Sequence, residues 1–263
     1  MEKKVEKLEE ILEEINSGVV AFSGGADSSY LLYKAKECWG ENLLAVTAAL
    51  EVQTAEELEL AGRAAQEIGA KQAVVHLCLL TKDEFTANSP ERCYHCKREL
   101  FHRCRQLAAG RGWAVVCDGA NADDLKDFRP GSRAAAELQV RSPLQEAGLT
   151  KQEVRLLSKQ AGLGAWNLPA SPCLATRLPY GEKITAAKLQ MIAAAEKYLR
   201  SRGHTVLRVR CHRGLARIEV PPEKIPALLP EKEALVVYLQ GLGFSYVTLD
   251  LQGFRSGSMN EML

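Results

Sequence analysis

Three groups of residues have the types and spacing that chemistry requires. They are Ser23-Gly24-Gly25-Ala26-Asp27-Ser28, the cysteines Cys93 and Cys96 with Cys173, and the alternating Arg208 and Arg210. The first is an anion site. Its glycines admit positive φ and let backbone amides approach an oxyanion, and a helix start adds roughly half a positive charge and several unpaired N–H donors. Ser23 and Ser28 offer hydroxyl donors, and Asp27 can either cap the helix or hold a magnesium ion. Neither commoner nucleotide loop fits: no lysine precedes Ser28 as GxxxxGK[ST] demands, and GxGxxG is missing. The bland alternative is a plain strand-to-helix turn.

Cys93-Tyr94-His95-Cys96 is the one CxxC of a chain with eight cysteines. The spacing lets two thiolates grip one metal ion, or makes a redox pair. Cys104 is expected to face along a helix with Leu100 and Leu107. Cys38, Cys78, Cys117 and Cys211 sit in apolar helix or strand positions and read as inert buried thiols. Cys173 alone lies in an irregular polar setting, Ser171-Pro172-Cys173-Leu174-Ala175-Thr176-Arg177. Three thiolates matter because a four-iron four-sulfur cluster then keeps one iron for an exchangeable ligand, such as a transferable sulfide. Zinc held by three cysteines and water would use the same ligands. Arg92, Lys97, Arg98 and Arg177 favour thiolate over thiol in either case.

Arg208 and Arg210 alternate on one expected strand, so their guanidinium groups project from one face and can clamp a phosphate, with Arg255 as a third donor. A solvated strand face is the alternative. Thr176 and Arg177 adjoin Cys173 and can position a phosphate near it. In Asp118-Gly119-Ala120-Asn121-Ala122-Asp123-Asp124, Asp118 and Asp123 can hold a metal on a triphosphate, whereas Asp124 and Asp127 read equally as a solvated acidic loop.

The elements that position these groups follow from periodicity. Val5, Leu8, Leu12 and Ile15 line one face of an opening helix. Val19 to Phe22 reads as a buried strand and Ser29 to Trp39 as a helix; Leu43 to Leu50 is a second strand, and Thr54 opens a capped helix that Gly69 closes. Strands at 73–77 and 113–117 complete a parallel sheet, the second ending at Asp118-Gly119, with a helix from Lys97 to Ala109 between them. Ligands of such sheets lie beyond the strand C-termini, where the Ser23 loop and the Asp118 stretch both fall. A helix follows over 150–161. Pro169, Pro172 and Pro179 interrupt the pattern, and a compact α+β unit follows, with helices over 185–202 and 231–242 and strands over 206–211, 216–220 and 246–251. The expected domains are thus 1–168, a linker 169–181 carrying Cys173, and 182–263.

The chain has 263 residues, 46% hydrophobic and 25% charged, with a net charge of +1. That is an ordinary globular composition, long enough to bury about three quarters of the unfolded surface. The near-zero charge supplies no broad field for nucleic acid. The charged start Glu2-Lys3-Lys4-Val5-Glu6-Lys7 does not open a signal peptide, and no apolar run approaches the ~18 residues of a membrane span. These features point to the cytoplasm, with reduced cysteines and no membrane partner.

SGGxDS resembles the PP-loop of the ATP pyrophosphatases, which adenylate a carbonyl or carboxylate and release pyrophosphate. The wider pattern resembles the LarE family of PP-loop sulfur transferases, which help to make a nickel-pincer nucleotide. It runs through Asp118-Gly119, Asp127-Phe128-Arg129-Pro130-Gly131, Arg177-Leu178-Pro179-Tyr180-Gly181, Ala195 to Ser201, Arg208-Val209-Arg210, Tyr246 to Leu251 and Gly253-Phe254-Arg255-Ser256-Gly257. The resemblance implies a parallel-sheet, adenine nucleotide alpha hydrolase-like α/β domain with a smaller α+β domain. It also implies ATP and Mg2+ as cofactors, a pyridinium mononucleotide substrate whose carboxylate becomes a thiocarboxylate, a metal or substrate role for Glu196, and a homo-oligomer. An ion pair of Glu196 with Arg200 at i+4 is the alternative. One form of the family spends a single cysteine as sulfur donor. Alignment on Arg177-Leu178-Pro179-Tyr180-Gly181 puts that cysteine at Pro172, one residue before Cys173. The departure agrees with the second form, in which three cysteines hold a four-iron four-sulfur cluster reloaded by sulfide or a sulfur-donor protein. A tRNA thiolase and a non-catalytic nucleotide-binding protein are the rival readings.

Overall fold

The computed structural model describes residues 1–126, 130–168 and 172–255. Asp127, Phe128, Arg129, Pro169, Ser171, Ser256 and Gly257, which figure in the sequence patterns above, lie outside the described residues. The chain forms two compact units, Met1–Cys78 with Glu91–Ser171, and Leu79–Pro90 with Pro172–Leu263. Division at a single point in the chain, as the prolines suggest, misses the second crossing. Leu79–Pro90 joins the second unit because its backbone is bonded there: Ile184 N–H donates to Thr86 O and Gly181 N–H to Asn88 O, each at 2.9 Å. The Asn88 side chain, fully buried, donates from Nδ2 to Pro179 O at 2.8 Å. Residues 172–181 belong to this unit too, with Leu174, Ala175 and Leu178 buried.

The first unit is built on four strands, β1 (Gly18–Ala21), β2 (Leu43–Leu50), β3 (Gln72–Leu77) and β4 (Val115–Asp118), all parallel and ordered β3-β2-β1-β4. Strand order advances outward from β1 to β3, then returns to the far side of β1. That reversal is the switch point at which such sheets open a crevice beyond their strand C-termini. In register, Ala21 pairs with Asp118, so the Ser23 loop leaves the sheet beside the end of β4. Val20 contributes to one core, with Leu8, Leu12, Leu31 and Trp39, while Val19 and Ala21 contribute to another with Phe101 and Ala134. This alternation is what a strand covered on both faces requires. Thr54 closes a capping box with Glu57, and Gly69 ends that helix at φ 73°. The opening helix is fixed by Leu12, whose carbonyl accepts from Trp39 Nε1 at 2.7 Å.

In the second unit β5 (Arg208–His212), β6 (Leu215–Glu219) and β7 (Tyr246–Leu249) form a sheet in that order, antiparallel then parallel, beside helices Ala186–Ser201 and Lys232–Gly241. Arg213 and Gly214 turn the β5–β6 hairpin with φ of 49° and 90°, the pair of positive values that a two-residue loop demands. Among the described residues no helix is long and apolar enough to cross a membrane. Cys104, Cys117 and Cys211 are buried, as their apolar surroundings predict, but Cys38 is half-buried and Cys78 exposed. Cys78 lies just past the end of the edge strand β3, where no neighbouring strand covers it.

Candidate functional site

The loop after β1 has the positive φ that its glycines admit. Gly24 holds φ +76°, and a Cβ there would lie 2.7 Å from Ala61 Cα on the next crossover helix. Ser28 Oγ accepts from Ser23 N–H at 3.3 Å and donates to Gly25 O at 3.1 Å, drawing the turn closed. The helix Ala26–Trp39 is capped by Gly25 with no side-chain acceptor, so its first amides keep their donors for an incoming anion. Asp27 therefore does not cap it. Its Oδ2 accepts from Asn121 Nδ2 at 3.2 Å, while Oδ1 is sealed from solvent with no hydrogen-bond partner. Burial raises the Asp27 carboxyl above its ordinary range, with Lys151 pulling the other way.

The end of β4 is braced against this loop. Asp118 Oδ1 accepts from Ser142 Oγ at 2.7 Å and from Ala120 N–H at 3.2 Å, and Oδ2 accepts from Lys97 Nζ at 3.2 Å. A Cβ on Gly119 would stand 2.9 Å from both Ser28 N and Ser28 Cα, so only glycine lets β4 approach the loop helix. Asp118 is thus held by three donors, and Asp123 Oδ2 accepts from Lys151 N–H at 2.9 Å. Asp124 is buried, with Oδ2 taking Asn121 N–H at 3.1 Å, which corrects its reading as a solvated acid. Among the described residues no three His, Cys, Asp or Glu side chains are grouped to hold a metal ion.

Cys93 and Cys96 lie inside the helix Arg92–Ala109, which begins five residues before the Lys97 start expected from its apolar spacing. Positions 93, 96 and 97 share a face at i, i+3 and i+4. Cys93 is exposed and Cys96 half-buried. The stem of Lys97 passes over Gly131, where a Cβ would meet Lys97 Cγ at 3.0 Å, and its ammonium reaches Asp118. A cavity of about 330 Å³ opens at the C-terminal ends of β2 and β3, lined by Leu50, Glu51, Thr54, Leu58, His76 and Cys78 among others.

In the second unit Cys173, Thr176 and Arg177 are brought together with Glu196, Arg208 and Arg210. Arg177 Nη1 donates to Cys173 O at 3.0 Å and also to Pro172 O, while Nε and Nη2 grip Glu196 at 2.9 and 3.1 Å. Glu196 further accepts from Arg200 Nη2 at 2.8 Å and Val209 N–H at 3.1 Å. Its two oxygens are thereby taken by donors in a buried anchor, and the pair with Arg200 exists, joining this buried carboxylate to an exposed arginine. Arg210 is tied to buried Glu219 at 3.0 and 2.9 Å and to Thr176 O at 2.9 Å. It braces the strand and is not poised as half of a clamp. Arg208 differs. It donates to Leu207 O and lies over the Phe254 ring, and burial, then the guanidinium of Arg177, push its pKa down to about 10. A cation so destabilised by other cations gains most from an anion. Arg255, beside Phe254, donates to Gly253 O and lies 3.9 Å from Asp250.

Residues 18–156 match the asparagine synthase family model. Over 253 residues the chain is 42% identical to the pyridinium-3,5-bisthiocarboxylic acid mononucleotide synthase of Lactiplantibacillus plantarum, covering 96% of this chain and 92% of that protein. The chain belongs to the LarE family of PP-loop enzymes. It is also 44% identical over 265 residues to an uncharacterized Synechocystis sp. protein, spanning 100% and 99% of the two chains. A protein of Methanocaldococcus jannaschii is 30% identical over 238 residues, with 90% of each covered. In this LarE chain Asn121 and Ser142 brace the nucleotide loop and β4 of the first unit, and Glu219 braces Arg210 in the second, but none carries a local motif. The one available signal is Arg217-Ile218-Glu219, an acid alternating with a base on the strand after Arg208-Val209-Arg210.

Proposed function

We propose that this chain is an ATP-dependent sulfur transferase that turns a carboxylate of a pyridinium dicarboxylate mononucleotide into a thiocarboxylate, in keeping with the name of its L. plantarum relative. The observation that carries the reading is a continuous run within the first unit. Cys93 and Cys96 share a helix face with Lys97, Lys97 reaches Asp118, and the next residue, Gly119, packs on Ser28 of the nucleotide loop. Thiol chemistry and phosphate chemistry thus meet at one rim.

Loop amides, Ser23 and Ser28 hold the triphosphate, Asp27 holds its magnesium ion through the oxygen that no donor satisfies, and the cavity beyond β2 and β3 takes the flat base. The substrate carboxylate attacks the α-phosphorus and pyrophosphate leaves; a sulfur nucleophile then attacks the acyl carbon and AMP leaves. Activation matters because an unactivated carboxylate would have to expel oxide. Arg208, with Arg255 and Thr176, holds the substrate phosphate, while Arg177 tethers the Cys173 segment and Arg210 braces the strand that carries Arg208. Cys93, Cys96 and Cys173 would hold a four-iron four-sulfur cluster through their thiolates, and the cluster would supply transferable sulfide. Sulfide or a sulfur-donor protein replenishes it. The chain works in the cytoplasm as a homo-oligomer, a reading supported by the exposed Val237, Tyr238 and Tyr246 of the second unit.

The test is anaerobic reconstitution with iron and sulfide, followed by ATP and the pyridinium dicarboxylate mononucleotide. Pyrophosphate release together with exchange of a carboxylate oxygen for sulfur in the product is expected. Cys173→Ala should keep pyrophosphate release and lose sulfur transfer. Pyrophosphate release without any sulfur incorporation would overturn the transferase reading, and loss of hydrogen sulfide from the protein mass after one turnover would replace the cluster by sacrifice of Cys173.

A further inference from the structure

The geometry points to Asn121 as the positioning residue that presents Asp27 to the magnesium ion of bound ATP, an inference that rests on the nucleotide reading above. Asn121 is 1% exposed and every polar atom of its side chain has one assignment. Its Oδ1 accepts from Asp123 N–H at 3.0 Å, which fixes the amide so that Nδ2 must face Asp27 Oδ2, 3.2 Å away. Its backbone N–H is bound by Asp124 Oδ2 at 3.1 Å, so the residue cannot turn. The turn at 121–124 thus selects which Asp27 oxygen is satisfied and which is not.

The oxygen left over, Asp27 Oδ1, is sealed and without a donor. A buried anionic oxygen in that condition costs free energy that a partner would recover. Lys151 and Arg155 act on Asp27 only through space, and Asp124 opposes them. A divalent cation with oxygen ligands is the partner that fits a carboxylate in the first turn after a phosphate loop. Outer groups of this kind orient a ligand and, when removed, cost about 10–100-fold in metal affinity.

Mn2+ in place of Mg2+ allows binding to be followed by the free-ion electron paramagnetic resonance signal, with ATP present and no second substrate. Asn121→Ser is the informative variant, because its hydroxyl can still accept from Asp123 N–H while it no longer reaches Asp27 and adds no charge. It should weaken Mn2+ binding in the ATP complex by about 10–100-fold, while ATP binding in chelator, measured by calorimetry, stays within about twofold of the parent. Asn121→Ala should behave alike where circular dichroism shows it folded. Unchanged or tighter Mn2+ affinity in Asn121→Ser, or an equal loss of metal-free ATP binding, overturns the proposal. Asp27→Ala separates the two levels. If it loses Mn2+ binding while Asn121→Ser does not, only the positioning role fails; if it binds Mn2+ as the parent does, the magnesium reading fails and the proposal with it.

Discussion

Arg177 and Glu196 face each other in a two-pronged ion pair, Nε to Oε1 at 2.9 Å and Nη2 to Oε2 at 3.1 Å, with side chains only 3% and 1% exposed. The same guanidinium holds the carbonyl of Cys173. A charge pair of this kind is therefore also the tether of the Cys173 segment. Removing one partner strands the other in a desolvated setting, which costs about 3–5 kcal/mol. Glu196→Gln should lower the stability of the folded protein by that order in urea unfolding, and should raise the rate at which Cys173 is alkylated. A loss below about 1 kcal/mol, the range of exposed pairs, would mean that the pair is solvated in practice.

Acid should act through the same carboxylate. Burial alone would raise the Glu196 carboxyl, but the hydrogen bonds and charge of Arg177, helped by Val209 N–H and Arg200, hold it below its ordinary value of 4.5. A carboxyl depressed in the folded state contributes its full stability above the unfolded value and loses it as pH falls through the folded one. Stability should therefore be flat in this respect near neutrality and fall below about pH 4.5. Glu196→Gln should flatten that limb, so that the variant and parent curves converge in acid. Curves that stay parallel down to the acid transition would assign the limb to other carboxylates, Glu146 beside Arg141 among them.

What local chemistry dictates was legible. Val19-Val20-Ala21 followed by Ser23-Gly24-Gly25 is a strand and a tight loop by residue type alone, and Thr54 with Glu57 is a self-contained cap. Partners far apart in sequence were not. Only the acid alternating with a base in Arg217-Ile218-Glu219 hints that Glu219 will absorb Arg210, and no local pattern shows that Asn121 will reach Asp27 over 94 residues. The helix through Cys93 and Cys96 begins early without a side-chain cap, and Cys93, Tyr94 and His95 in its first turn are indifferent helix formers. Leu79–Pro90 crosses to the second unit by backbone bonds, which leave no trace in side-chain pattern.

Gly119 couples the packing of β4 to the nucleotide loop. Its added Cβ would meet backbone atoms of Ser28 at 2.9 Å, so β4 or the loop helix must move. Gly119→Ala should cost about 1–3 kcal/mol, as overpacking does, and displace the amides that face the phosphates, weakening MgATP binding in calorimetry by at least about tenfold, or ~1.4 kcal/mol. Gly241→Ala is the control. Its Cβ meets nothing within 4 Å and it ends a helix, so it should be neutral or stabilising. Unaltered MgATP affinity in Gly119→Ala would show that the packing of β4 on Ser28 does not set the loop.

Lys97 is the residue on which the link between thiols and nucleotide turns. Its side chain is 44% exposed, but the Asp118 that it pairs with is 6% exposed, and Asp118 Oδ2 takes a hydrogen bond from this ammonium. Methionine keeps the stem that lies over Gly131 and removes the charge, with its place over the Phe101 ring. Lys97→Met should therefore cost about 1–3 kcal/mol, the penalty of a buried acceptor that loses its donor. The proposed reading puts this ammonium beside the departing pyrophosphate, where it stabilises charge that develops during adenylation; removing one such donor costs about 10²–10³ in kcat. Exchange of labelled pyrophosphate into ATP, driven by the substrate carboxylate, should fall by that order, with the KM for ATP changing much less and Lys97→Arg recovering part of the rate. Parental exchange in Lys97→Met would confine this lysine to bracing Asp118, and the run from Cys93 to the nucleotide loop would then be packing without chemistry.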